Sequence, residues 1–280
     1  MTINYSVILP HGFNLIPELY PDESEKWQKL IRAMETTAEE IFLMDPEVII
    51  IASPHNLRID GQIGIVNSEW LEGEWWNSTK TKKVTLRLKC DRDFASLFYE
   101  YTKERIPIVS VNFGALDGDL SSMRMDWGTL IPLWFVYREY EKGKKNIPPV
   151  VLITPSREIP WKNLVYLGRS LSHICEKKEK KAVFIASCDQ GHAHDPEGPY
   201  GYHPAAKVFD DQICSLIQNN RLETLLDLTP EFIEQAKPDS FWQMLILLGI
   251  IERNDLKNEL CLYECPSYYG MIVANFKKRK

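Results

Sequence analysis

Hydrophobic positions along the chain alternate between two patterns. Short apolar, β-branched runs end in Pro/Gly loops, and longer stretches carry apolar residues at helical spacing. Val7, Ile8 and Leu9 form the first run, which ends at Pro10, His11 and Gly12. Over 25–44 the spacing of Trp27, Leu30, Ile31, Met34, Ala38, Ile41 and Phe42 predicts an amphipathic helix. Val48–Ala52 is the second run, ending at Ser53, Pro54 and His55. A β-rich excursion follows at about 58–90, with strands over 62–66 and 83–89 and a loop carrying Trp70, Trp75 and Trp76 between them. Helices are expected over 94–103, 130–141, 161–176, 205–217 and 241–251, and strands over 106–112, 150–153, 181–187 and 268–275.

Continuous apolar strands alternating with helices predict a single α/β domain over 1–280, its central sheet mostly buried and flanked by helices on both faces. Ligands of such sheets gather at the carboxyl ends of strands. His11, His55 and His192 each stand just past such an end.

Composition narrows the class. With 44% hydrophobic and 26% charged residues, the chain is not disordered, collagen-like or a coiled coil. Against 39 acidic residues there are 33 basic ones, a net charge of −6; no basic block rises above the surface background, and Lys277, Lys278, Arg279, Lys280 is a short tail. Nucleic acid is therefore not an expected partner. The apolar runs 130–137 and 244–251 are too short to span a bilayer, and the N-terminus lacks a basic signal region. Cys90, Cys175, Cys188, Cys214, Cys261 and Cys265 form no CxxC pair and read as reduced thiols of a cytoplasmic protein.

Of six histidines, only His173 lies inside a helical pattern; His11, His55, His192, His194 and His203 lie in loops. One loop histidine is ordinarily a solvated surface group. Three at strand ends converge in space, and neutral imidazole is the commonest metal ligand. Two imidazoles and one carboxylate, with faces left open, form the site preferred by non-haem Fe(II) oxygenases.

Several motifs occur in order: PHG at 10–12, ASPH at 52–55, a DxG followed by PL at 126–133, IASxDxxH at 185–192 and GPYGYHP at 198–204. None is specific alone. The ordered set resembles the class III extradiol ring-cleavage dioxygenases, in their LigB-type catalytic subunit, and is similar to the related Memo-like proteins. The resemblance implies that His11 and His55 are metal ligands. It places the third ligand ahead of a buried helix, at Asp239, with Glu234 as runner-up. An Asp in that position is also an ordinary helix N-cap. His192 matches the family's acid/base histidine. His194 competes with it, and in an extended segment the two would point to opposite sides. His203 and Tyr200, in the Gly/Pro/Tyr loop, are candidates for substrate binding, and His203 is equally a turn cap. Many extradiol enzymes carry a histidine where this chain has Trp127, whose indole can stack on a ring or line the pocket but cannot move a proton.

Weaker signals point elsewhere or nowhere. There is no GxGxxG, P-loop, GxSxG or HExxH. Cys188 is either a nucleophile near His192 or a small residue packed beneath the site. The cluster Trp70, Trp75 and Trp76 suits a partner surface, a lid or a subunit contact. Together the resemblance and the histidines imply an Fe(II)-dependent extradiol dioxygenase, expected as a homo-oligomer, acting with O2 on a catechol or o-aminophenol. A Zn2+-dependent hydrolase on the same cage, or a Memo-like binding protein without ring cleavage, is the alternative.

Overall fold

The computed structural model describes residues 3–21 and 24–278; Arg279 and Lys280 of the basic tail lie outside them. From the N-terminus the elements are β1 (Ile3–Leu9), α1 (Glu25–Met44), β2 (Val48–Ala52), β3 (Ile63–Val66), β4 (Trp70–Trp76), β5 (Lys83–Lys89), α2 (Arg92–Thr102) and β6 (Ile108–Val111). Then come β7 (Ser122–Arg124), α3 (Trp127–Lys142), β8 (Val150–Thr154), α4 (Trp161–Lys177), β9 (Ala182–Ser187), α5 (Pro204–Gln218), α6 (Pro230–Ala236), α7 (Phe241–Asn254), β10 (Leu256–Glu264) and β11 (Met271–Lys278).

An eight-stranded mixed sheet runs β10-β11-β1-β9-β2-β8-β3-β6. Its three central neighbours, β1, β9 and β2, are parallel. Successive side chains on these strands face opposite ways, and both faces are buried. Tyr5, Val7, Leu9, Ile49, Ile51, Val183 and Ile185 join α1 and α3 in one core. Ile8, Ile50, Phe184 and Ala186 join α2, α4, α5 and α7 in the other. The expectation of an α/β fold with a buried sheet between helical layers holds. Among the described residues no helix is long and apolar enough to cross a membrane.

Two expectations need correction. The segment carrying Trp70, Trp75 and Trp76 is a strand, paired antiparallel with β5 and parallel with β7 in a small second sheet. Tryptophan suits a pleated, half-buried surface, and Leu71, buried opposite Leu88, anchors this sheet in the core beside α3. The first strand of the excursion, β3, joins the main sheet between β8 and β6. The last strand begins at Met271, three residues later than expected, and pairs with β10, an edge strand absent from the sequence reading. Most of β10 is only half-buried, so its apolar and polar residues interleave without a clear period.

Candidate metal centre

Parallel pairing of β1, β9 and β2 carries the loops that follow them to one edge of the sheet. These loops hold His11, Asp189 with His192, and His55. The fourth contribution comes from the segment between α6 and α7. There Gln243 Nε2 donates to the Ser187 carbonyl at 3.0 Å, and Ser240 Oγ donates to Gln190 Oε1 at 2.9 Å. The Asp189 backbone N–H donates to Asp239 Oδ1 at 3.0 Å. The start of α7 is thus tied to the end of β9, and Asp239 is held with its other oxygen toward the histidines.

His11 Nε2 lies 3.2 Å from Asp239 Oδ2, His55 Nε2 lies 2.9 Å from the same oxygen, and the two Nε2 atoms are 3.2 Å apart. The hydrogen bonds around His11 define its tautomer. Ser187 Oγ–H donates to the Gly128 carbonyl, so Ser187 accepts from His11 Nδ1–H at 2.8 Å, which leaves the Nε2 lone pair facing the cluster. Donor atoms of His11, His55 and Asp239 all lie within 4.8 Å of one another. Bonds of about 2.0–2.2 Å to one ion require this kind of spacing. The donor set, two imidazole nitrogens and a carboxylate oxygen around an open side, therefore fits a divalent metal.

Electrostatics agree with the geometry. Burial by itself would depress the His11 imidazole, but the carboxylates of Asp189 and Asp239 outweigh it and raise its pKa to about 9. Burial would raise the Asp239 carboxyl, and the neighbouring imidazoles of His11, His55 and His192 instead hold it well below the usual range. Asp189, buried beside them, is pushed up chiefly by desolvation. Its Oδ1 accepts the His11 backbone N–H at 3.0 Å, and its Oδ2 stands 3.6 Å from His11 Nε2. The sequence reading gave this residue no role of its own, although it is the Asp of IASxDxxH.

Asp239 is not an N-cap, since Ser240 occupies the cap position of α7 and makes no side-chain cap bond. Glu234 is exposed and pairs with Lys237, so it takes no part in the cluster. His192 Nε2 points at Asp239 Oδ2 from 3.7 Å, its Nδ1 bonds the Gln190 carbonyl at 2.7 Å, and its ring stacks on Tyr269 with centroids 5.2 Å apart. His194 turns the other way. Its Nε2 lies 2.8 Å from the buried Asp210, which also accepts from Tyr263 and from the Gly191 N–H, so His194 is not at the cluster. His203 caps α5 through Nδ1, accepting from the Ala205 N–H at 3.2 Å. Tyr200 stands edge-on to His192 at 5.6 Å. The Cys188 thiol is fully buried, its pKa pushed up by desolvation, and it donates to the Ser240 carbonyl; it packs beneath the site.

Trp127 stacks on His55, with centroids 4.4 Å apart and planes 27° off parallel. Phe13 and Trp75 extend this wall. Trp75 belongs to β4, so the small sheet supplies part of the site, which the sequence did not reveal. A cavity of about 400 Å³ opens here, lined by His55, Leu57, Trp75, Met123, Met125 and Trp127 among others. Beside it Asp126 caps α3 and accepts from the Ser53 hydroxyl. A Cβ at Gly128 would lie 2.7 Å from Ser53 Oγ and 3.3 Å from the His55 ring, so a side chain there would press Ser53 and His55 out of place.

Residues 5–274 match the model of the catalytic LigB subunit of aromatic ring-opening dioxygenase, and the chain belongs to that family. It is 28% identical over 265 residues to Protein CA_C1420 of Clostridium acetobutylicum, across 94% of this chain and 55% of that protein. The chain thus spans about half the length of this relative. It is 25% identical over 268 residues to the 2-aminophenol 1,6-dioxygenase beta subunit of a Pseudomonas species, across 82% of this chain and 78% of that one. The fold is similar to the crystal structure of uncharacterized protein JW3007 from Escherichia coli K12, with TM-score 0.61 and 14% identity over 97% of this chain and 99% of that one.

Proposed function

We propose that the protein is a non-haem Fe(II)-dependent extradiol dioxygenase that opens the ring of a catechol or o-aminophenol with O2. The observation that carries this reading is the convergence of His11 Nε2, His55 Nε2 and Asp239 Oδ2 in a family of aromatic ring-opening dioxygenases. His11, His55 and Asp239 would hold the iron. Bound there, iron supplies the path for electron density between an electron-rich ring and O2.

The protein's own residues do the rest. Trp127 and Trp75 wall the cavity beside His55, with Phe13 stacked behind Trp75, and offer flat faces on which an aromatic ring can lie. His192 is the acid/base. With Nδ1 held by the Gln190 carbonyl, its Nε2 is left to hold or release a proton at the cluster's open side. Tyr269, stacked on the ring, and Tyr200, edge-on to it, fix its plane. The reading includes one domain across 1–280 in a cytoplasmic homo-oligomer, with a small aromatic substrate and O2 as partners.

The test is anaerobic reconstitution with Fe(II), then exposure to a panel of catechols and o-aminophenols, read by O2 uptake and a yellow ring-opened product. O2 consumption matched to product supports the reading. Tight zinc with hydrolysis and no O2 uptake would support a Zn2+-dependent hydrolase instead.

A further inference from the structure

The six cysteines fall into two groups. Cys90, Cys175 and Cys188 lie inside the core, where desolvation pushes the first two thiols up to about 12 and the third well above its ordinary value. Thiols of this kind are inert. Cys214, Cys261 and Cys265 are only half-buried. Cys265 is occupied locally, its Sγ donating to the Ser267 carbonyl at 3.3 Å. Cys214 on α5 and Cys261 on β10 instead meet each other in an S–H···S hydrogen bond.

The docking of α5 on β10 produces this contact. Tyr263 OH donates to Asp210 Oδ2 at 2.8 Å, which fixes the two elements together at one point. Cys214 stands four residues beyond Asp210, on the same face of α5, and Cys261 stands two residues before Tyr263, on the same face of β10. Four helical residues advance about 6 Å, and two strand residues about 6.7 Å. The two steps match, so the thiols form the next rung of the same contact. Both side chains rest on one core cluster beneath them.

We propose that Cys214 and Cys261 are a reversible redox site, which hydrogen peroxide converts to a disulfide joining α5 to β10. The pair is asymmetric. The bond from the Cys214 S–H, ahead of burial, raises the Cys214 thiol, and the same bond holds Cys261 below its ordinary value. Cys261 is therefore the attacking sulfur. Its thiolate bonds to one peroxide oxygen and the O–O bond breaks. The other oxygen leaves as hydroxide and takes up the proton lost by Cys261, giving water and a sulfenic acid. The Cys214 sulfur then attacks the Cys261 sulfur, the S–O bond breaks, and the hydroxyl leaves with the Cys214 proton as a second water. Two electrons pass from the thiols to the peroxide.

The position gives the crosslink a consequence. The chain between the two cysteines carries α6, Asp239 and α7. Asp210, one turn before Cys214, accepts from the Gly191 N–H and pairs with His194, on either side of His192. The disulfide secures the two elements behind that loop and restricts the unfolded chain. Where glutathione keeps thiols reduced it is transient. The proposal stands apart from the dioxygenase reading and does not depend on it.

The test uses the full chain with a chelator present, so that no bound iron consumes the oxidant. After a small excess of hydrogen peroxide, the thiol count of the denatured protein should fall from six per chain to four. Peptide mapping should find Cys214 joined to Cys261, and dithiothreitol should restore all six thiols. The thermal midpoint of the oxidised protein should rise by roughly 5 °C. In Cys214→Ser, dimedone should trap a sulfenic acid on Cys261, whereas in Cys261→Ser the Cys214 thiol should survive the same exposure. Cys214→Ala repeats the first of these without adding a hydroxyl at the core, and the wild-type map stands without any variant. Six thiols remaining in the wild type would overturn the proposal. So would a crosslink between other cysteines or between two chains, oxidation of Cys90, Cys175 or Cys188 ahead of this pair, or a sulfenic acid on Cys214 in Cys261→Ser.

Discussion

The Nε2 atoms of His11 and His55 face each other across 3.2 Å, although the residues are 44 positions apart in the chain. Both also approach one oxygen of Asp239. Two imidazole lone pairs cannot point at each other at this distance without a cation or a proton between them. The arrangement makes sense as a metal site, with a proton standing in when the metal is removed.

Substituting His11 should therefore abolish metal loading. His11→Ala is expected to lower bound iron from about one per chain to a small fraction, measured by elemental analysis after reconstitution. Its far-UV circular dichroism should match the wild type, because the β1 register and both core layers are untouched. Full iron occupancy in this variant would refute the ligand assignment.

Asp239→Asn removes the charge but keeps the shape. Iron affinity should fall at least ~100-fold, since outer-shell changes alone commonly cost 10–100-fold. Glu234→Gln is the matched control. Its partner Lys237 is at the surface, so both metal affinity and stability should stay at wild-type values. Equal losses in the two variants would contradict the placement of Asp239.

His192→Phe should retain iron and substrate binding but lose ring cleavage by ~10²–10⁴-fold, the usual contribution of a positioned acid or base. With Trp127 in place of a histidine, no second imidazole at the cluster can take over. His194→Phe should behave differently. It strips the buried Asp210 of one partner, costing about 1–3 kcal/mol of stability with little change in turnover by the remaining folded enzyme. If His192→Phe lost iron as well, His192 would be a ligand.

The metal-free protein should lose stability as pH rises through the slightly alkaline range. The His11 pKa is raised from 6.5 in the reference state to about 9. Folding therefore favours its protonated form, and that contribution is fully present below about pH 6.5 and lost as pH climbs through 9. With a chelator present, the thermal midpoint should fall by roughly 5 °C across this window. The loaded protein should not follow, because the metal replaces the proton. A flat profile for the chelated protein would show that the His11–Asp239 pair is not charged there.

Local pattern was enough to determine much of this protein. Helix α1 and strand β5 follow from periodicity, and strand β2 from its continuous apolar, β-branched run, because these patterns are complete within a few residues. The positions of His11, His55 and His192 just past strand ends were legible for the same reason. Other features were decided only by tertiary structure. Nothing local says that β9 lies between β1 and β2, yet that pairing brings the three loops together. Whether Asp239 caps a helix or faces the histidines depends on bonds to Asp189, and through Ser240 and Gln243 to Gln190 and Ser187, some 50 residues away in the chain. His194 was separated from His192 by Asp210 on α5, and Trp75 reached His55's wall only because β4 docks its sheet on the core. Periodicity reports the environment of each residue along its own element. A site assembled from residues 44, 184 and 228 positions apart depends instead on which elements pack together.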